Sequence, residues 1–204
     1  MGMSNSNKTT VESYEKAIDK YIQDTVSIPS YWVTDWLNES LRGLDHEARI
    51  LEIGSAFGRD AKYIESLGYK VEKTDAVQGF ISILQKEDST AHYFNAINDE
   101  ISDNYDLVFA NAVFLHFTRD ETESVSKKIL NSLNNGGRFA ISLKQGNGEE
   151  WSSRKVDNPR YFCYWQKDEI QAMLYKVGFS NVTISIDGTD IKKNNIWLMI
   201  VATK

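Results

Sequence analysis

The residues best placed for chemistry lie in Ile50-Leu-Glu52-Ile-Gly54-Ser55-Ala56-Phe-Gly58-Arg-Asp60. A short apolar run enters a turn with two glycines, and a helical pattern follows. Such a turn brings bare backbone close to a ligand at the mouth of a parallel sheet. Asp75 stands 21 residues after Gly54, at the end of the next apolar run. A carboxylate at that strand end can accept hydrogen bonds from both hydroxyls of a ribose. Glu52, just before the turn, suits a cationic amino group better than a pyrophosphate. His116 lies just past another buried-strand pattern. Its ordinary pKa near neutrality suits removal of a proton from an oxygen or nitrogen nucleophile. Packing, or capping the helix that follows, fits its position equally well. His46 and His92 read as surface or structural residues. No His, Cys and Asp cluster has metal-ligand spacing, so no metal is expected. No Gly-x-Ser-x-Gly and no Ser-His-Asp order occurs, which speaks against a hydrolase.

These residues need elements to hold them. Val11, Tyr14, Ile18, Tyr21 and Ile22 recur at helical spacing, and Pro29 breaks the run. Trp32, Val33, Trp36, Leu37 and Leu41 make a second helical stripe, with Trp32 and Trp36 read as core. From residue 49 the pattern alternates. Strands are expected over 49–53, 69–74, 91–94, 105–110 and 138–143. Helices are expected over 60–67, 77–85, 118–133 and 167–177. Gly68 is placed to end the first of these helices, and Thr118 with Glu121 forms a capping box opening the third. Asn134 to Gly137 is turn chemistry. Two β-rich runs, 182–186 and 196–202, close the chain as an antiparallel hairpin, with Asp187 to Asp190, Lys192 and Lys193 at its tip. Strand and helix alternating at this spacing imply parallel βαβ units with helices on both faces.

Residues 144–166 read as a loop of roughly twenty residues, long enough to be functional. It follows the strand end where substrates sit in open α/β sheets. Its aromatics, Tyr164 among them, can hold an organic substrate and favour a cation. Lys144, Arg160 and Tyr161 could bind an anionic group such as a carboxylate. A solvated loop anchored by its aromatics would account for the same residues.

The chain has 204 residues, 41% apolar and 25% charged, which suits one globular domain. Residues 1–45 are expected as a helical cap and 46–204 as the core. Its net charge of −6, without a Lys/Arg block, speaks against a nucleic-acid backbone as main partner. The lone Cys163 excludes an internal disulfide and reads as a small buried hydrophobe. No run approaches ~18 apolar residues, and the start has no secretory pattern, so a cytoplasmic setting is expected. Met1-Gly2 with Ser6 fits an acylation pattern formally, but Met3 suggests that Met1-Gly2 is a cloning remnant.

The sequence resembles the class I S-adenosylmethionine (SAM)-dependent methyltransferases from Tyr14 to the last strand. Ile50 to Asp60 is similar to that family's first motif, with Ala56 where its middle glycine stands, and Asp75 to its ribose-binding acid. Phe94-Asn95-Ala96 resembles the adenine-contacting segment. Asp106-Leu-Val-Phe-Ala-Asn111-Ala112-Val-Phe-Leu-His116 resembles the fourth strand and the segment lining the methyl donor. Asn135-Gly-Gly-Arg-Phe139 is similar to the turn into the fifth strand, and 167–182 to the last helix entering the hairpin.

The resemblance implies a Rossmann-like, doubly wound, seven-stranded, mostly parallel sheet whose last strand is antiparallel. It places Gly54, with Ser55, Ala56 and Gly58, against the amino-acid part of SAM. Asp75 would hold the ribose, Ala76 and Ala96 the adenine, and Asn95 its exocyclic nitrogen. Asn111 and Ala112 would lie near the amino group, with Glu52. His116 would face the methyl group, and Tyr14 and Tyr21 would belong to a lid over SAM and acceptor, with plain core packing as the alternative, more so for Tyr21. The expected activity is methyl transfer to a small-molecule acceptor through oxygen or nitrogen. The expected chain is a monomer or homodimer, without nucleic acid or membrane. A nicotinamide enzyme is the rival within the fold, but Phe57 and Arg59 do not suit its pyrophosphate loop. The same motifs would also serve a methyltransferase acting on RNA or protein, or a SAM-binding module without catalysis.

Overall fold

The computed structural model describes residues 5–190 and 195–204, and the side chains of 5–186 and 196–204. Met1-Gly2 and the hairpin-tip Lys192 and Lys193 lie outside the described residues. The chain begins with α1 (Asn5–Glu15), α2 (Ile18–Gln23) and α3 (Tyr31–Leu41). It continues through β1 (Ile50–Ile53), α4 (Arg59–Ser66), β2 (Val71–Asp75), α5 (Gln78–Leu84), β3 (His92–Tyr93) and β4 (Tyr105–Ala110). A 3-10 turn (Phe114–His116) leads to α6 (Arg119–Ser132), β5 (Leu133–Lys144), β6 (Glu149–Ser152) and β7 (Arg160–Cys163). The last elements are α7 (Lys167–Val177), β8 (Asn181–Asp190) and β9 (Asn195–Thr203).

Alternation within the strands explains the layering, because successive side chains point to opposite faces of a sheet. Ile50, Leu107 and Phe109 pack with Val33, Trp36 and Leu37 of α3 and Ala61 and Ile64 of α4. Their chain neighbours Leu51, Val108 and Ala110 pack with Val125 and Ile129 of α6 and with Ile170 and Leu174 of α7. Helices on both faces make these strands apolar throughout, as parallel sheets require. The seven strands run in the order β3-β2-β1-β4-β5-β9-β8. The first five are parallel, and the last strand, β9, runs antiparallel between β5 and β8. The expected fold class is therefore the observed one.

The stretch 144–166, expected as a loop, is structured. β6 and β7 pair antiparallel, with Glu149 opposite Cys163 and Ser152 opposite Arg160. All four residues of β7 are buried, so no polar alternation marks it as a strand. The turn expected at 134–137 lies inside β5, because Leu133 already pairs with Tyr105. The capping box is present: the Thr118 side chain accepts from the Glu121 N–H, and Glu121 from the Thr118 N–H. Among the described residues no helix is long and apolar enough to cross a membrane.

Candidate active site

Strand order reverses between β1 and β4, and ligands of open α/β sheets bind outside the strand carboxyl ends at such a point. A cavity lies there, lined by residues at and after the ends of β1, β2, β3 and β4. Gly54 has φ +78°, and a Cβ on it would collide with the Val113 side chain, so only glycine fits. Ala56, at the position of the family's middle glycine, takes a left-handed φ of +50°. Its N–H donates to Asp75 Oδ2 at 2.8 Å, and the Val77 N–H donates to Oδ1 at 2.8 Å. Asp75 thus ties the first turn to the end of β2. Burial raises its pKa to about 6 against the pull of these N–H groups.

Asn111 follows β4 on the far side of the reversal. The Ala112 N–H donates to Ser142 Oγ at 2.8 Å, Ser142 Oγ donates to Asn111 Oδ1 at 2.6 Å, and Asn111 Nδ2 donates to Asp60 Oδ2 at 2.7 Å. Arg59 Nε pairs with Asp60 Oδ1 at 2.7 Å. Glu52 lies buried near this acid, with Oε2 lacking a partner. Burial, then the Asp60 charge, pushes its carboxyl well above the usual range. Past β3, Asn95 Nδ2 donates to Asn7 Oδ1 at 3.0 Å, while Lys128 donates to the Ile97 and Asp99 carbonyls at 3.0 and 2.9 Å. That lysine holds in place the segment carrying Asn95 and Ala96.

The helical stripe read from the sequence covers the cavity. Val11, Tyr14 and Tyr21 line it, so these three residues of the stripe face a ligand space. The buried face of α1 is polar: Asn7, Thr10 and Ser13. Thr10 Oγ1 accepts from the Tyr161 N–H at 3.1 Å, and Ser13 Oγ donates to the Pro159 carbonyl at 2.6 Å. These bonds lay α1 along the end of β7.

His116 lies on the cavity wall at the end of the 3-10 turn. Its Nδ1 is 2.6 Å from the Tyr161 carbonyl and its Nε2 is 2.9 Å from the Tyr14 hydroxyl. A carbonyl can only accept, so Nδ1 carries the proton and Nε2 takes the proton of Tyr14. Arg160 Nη1 donates to the same Tyr14 oxygen at 2.8 Å. Burial drives the His116 pKa down to about 3, and the charges of Arg160 and Lys144 act in the same direction.

Of the residues singled out from the sequence, Tyr14, Tyr21, Gly54, Ala56, Asp75, Ala76, Asn95, Ala96, Asn111, Ala112 and His116 line one cavity. Glu52, Ser55 and Gly58 do not line it: Ser55 Oγ accepts from the Thr74 N–H, and Gly58, φ +79°, starts α4. Lys144, Arg160 and Tyr161 are also absent from the wall, although Arg160 and the Tyr161 carbonyl bond to residues on it. Tyr164 points elsewhere, donating to Glu150 Oε1 at 2.5 Å. The sequence reading missed Asn7 and Thr10, whose only signal was small polar residues three apart. It also missed the apolar lining by Val77, Phe80 and Phe117, whereas Ile53, Phe94 and Val113 fall within the motif segments it named. Cys163 is buried, and burial pushes its thiol up to about 11.

A profile of the methyltransferase-domain family matches residues 28–184. The chain belongs to this family, the one its motifs resemble. The chain is 34% identical over 97 residues to a probable SAM-dependent methyltransferase, TehB, of Haemophilus influenzae. That match takes in 44% of this chain and 33% of the relative, so it spans about a third of the relative's length. Haemonchus contortus phosphoethanolamine N-methyltransferase 2, solved with SAM, shares its fold at a TM-score of 0.75 and 15% identity, over 100% of this chain and 60% of that one. Burkholderia thailandensis 1,6-didemethyltoxoflavin-N1-methyltransferase, solved with its acceptor and S-adenosylhomocysteine (SAH), matches at a TM-score of 0.72 and 17% identity, over 100% and 92% of the two chains.

Proposed function

We propose that this methyltransferase binds SAM in the cavity at the sheet's reversal and transfers the methyl to a small-molecule acceptor through oxygen or nitrogen. Asp75 carries the reading. It is a buried carboxylate at the end of β2, lining the cavity and held by two backbone N–H groups. A carboxylate has about four acceptor positions, so two remain for ribose hydroxyls. Gly54 and Ala56 offer backbone to the amino-acid part, shaped by Ser55 and Gly58. Glu52, Asn111 and Ala112 serve the amino group, while Asn95, Ala76 and Ala96 serve the adenine. Tyr14 and Tyr21 cover the cofactor.

When bound, SAM supplies an electrophilic methyl on a sulfonium. The chain's own work is alignment, exclusion of water and proton removal. Tyr14, whose own proton points at His116 Nε2, has an oxygen that can accept the O–H or N–H of the incoming nucleophile. That bond aims the nucleophile's free lone pair. As the nucleophile loses its proton to Tyr14, Tyr14 passes its own to Nε2, so Tyr14 ends neutral and His116 ends as imidazolium. The depressed basicity of His116 keeps Nε2 unprotonated and ready at neutral pH, and makes it release the proton quickly.

Residues 1–45 act in this reading as a cap on a 46–204 core, within one domain. The chain works in the cytoplasm as a monomer or homodimer, without nucleic acid or membrane, a reading supported by the net charge of −6 and the lone buried thiol. Calorimetric titration with SAM and SAH, on wild type and Asp75→Ala, tests the cofactor. Binding that the substitution removes supports the reading, and no binding of either ligand overturns it. Labelled SAM offered with small molecules, RNA and protein tests the acceptor. Label on RNA or protein would make that macromolecule the acceptor. Tight SAM binding without turnover across the panel would make the chain a binding module.

A further inference from the structure

Among the described residues two lysines or arginines are buried, Lys73 and Arg160, and of these Lys73 alone is paired with acids. Lys73 is held by Glu65 and by Asp88, the latter at 2.8 Å, and Arg59 by Asp60. Arg160 is only 5% exposed, yet no carboxylate lies within ion-pair distance of it among the described residues. Its Nη1 donates to Tyr14, its Nη2 to the Arg154 carbonyl, and its Nε is buried with no partner. A second cation stands nearby. Lys144, at the carboxyl end of β5, holds Nζ 4.8 Å from the centre of the Phe162 ring and 5.9 Å from that of Trp197. The Arg160 guanidinium lies 5.1 Å from the same Phe162 ring, and the His116 ring 4.7 Å from it. Lys144 likewise has no ion pair among the described residues. Burial first, and the charge of Arg160 second, hold it below its usual range. Glu150 pulls the other way, but its Oε1 is taken by Tyr164.

Two neighbouring cations, buried or partly so and without an acid, are costly in a folded chain. The cost is offset when a ligand brings the missing negative charge. Arg160 is also bonded to the Tyr14–His116 pair that handles the acceptor's proton. We propose that the methyl acceptor carries an oxyanion group, a carboxylate or a phosphate, held by Arg160 and Lys144 with its nucleophile directed at Tyr14. The inference rests on SAM occupying the cavity. Arg160 supplies directional N–H donors and Lys144 a point charge, a combination suited to either oxyanion. The anion also offsets the Arg160 and Lys144 charges, which lower the His116 pKa in addition to burial, the larger cause.

The test uses the full chain saturated with SAH, titrated calorimetrically with inorganic phosphate and, separately, with benzoate. The proteins are wild type, Lys144→Met and Lys144→Arg. Methionine keeps an apolar stem against Phe162 while removing the charge. SAH affinity, measured first, controls for folding and for the cofactor reading. If SAH fails to bind wild type, the methyltransferase reading has failed before the anion is tested. With SAH bound, the expected result is saturable binding of at least one anion, roughly tenfold weaker in Lys144→Met and restored in Lys144→Arg. SAH affinity stays unchanged in both variants. Preference for phosphate or for benzoate assigns the acid class. Anion binding of neither kind, or binding equal in wild type and Lys144→Met, overturns the proposal.

Discussion

Replacing Asp75 with Asn keeps the side chain's shape but removes its charge and turns one acceptor into a donor. In the structure both carboxylate oxygens already accept backbone N–H groups at 2.8 Å, from Ala56 and from Val77. The amide must therefore face one backbone donor with its own N–H. Hydrogen bonds to a charged acceptor contribute about 1.5–3 kcal/mol each. Losing the charge behind two ribose contacts and disturbing the turn then costs about 3 kcal/mol of binding, or roughly a hundredfold in Kd. SAH calorimetry near neutral pH reads this directly. Acid pH gives a second arm. Burial places Asp75 at about 6 in the free protein, and the ribose hydroxyls need the ionised form. Wild-type affinity should be flat above about pH 7 and fall roughly tenfold per unit below 6, while Asp75→Asn shows no such fall. Stability moves the opposite way. A carboxyl whose folded pKa is raised contributes stability fully present below 3.8 and lost as pH rises through about 6. Asn binding SAH within threefold of wild type, or sharing its pH slope, would refute the assignment of Asp75 to the ribose.

His116→Ala should collapse methyl transfer to any acceptor identified while leaving SAH affinity within a few-fold; undiminished turnover would end the proton-transfer role. Ala56→Gly should raise stability by about 0.5–1 kcal/mol, since φ of +50° strains alanine by more than glycine's extra chain entropy costs; an unchanged or lower Tm in thermal melts counts against that strain. Thr10→Val orphans the buried N–H of Tyr161, at about 1–3 kcal/mol. Amide hydrogen exchange should then quicken in α1 and SAH should bind more weakly, and unaltered exchange would mean that this bond does not hold the cap. Phe139→Ala, at a fully buried ring, should cost about 3–5 kcal/mol in denaturant unfolding, and a loss below about 1 kcal/mol would show that the core repacks.

Local rules made much of the fold legible. The strand-turn-helix at Gly54, the acid at Asp75, the box at Thr118 and Glu121 and the closing hairpin each depend on residues close in sequence. Periodicity could then name the layers, because strand alternation and helical stripes each record which face is buried. Two things were not local. The hairpin of β6 and β7 was hidden because Arg160 to Cys163 are all buried, Arg160 through its bonds to Tyr14 and a backbone carbonyl, so the stretch carries no alternating pattern. The stripe of α1 and α2 could not say what it faces, because an apolar stripe reads alike against a core or a cavity; the family resemblance alone suggested a lid, and in the structure Tyr14 and Tyr21 line the cavity. By itself the sequence determined the fold class, the methyltransferase family and the chain positions of most of the cavity wall. Only the tertiary structure decided that Tyr14, His116 and Arg160, drawn from α1, the turn after β4 and β7, form one hydrogen-bonded chain. Contacts 102 and 146 residues apart leave no trace in spacing, since they are fixed by where the sheet brings its strand ends together.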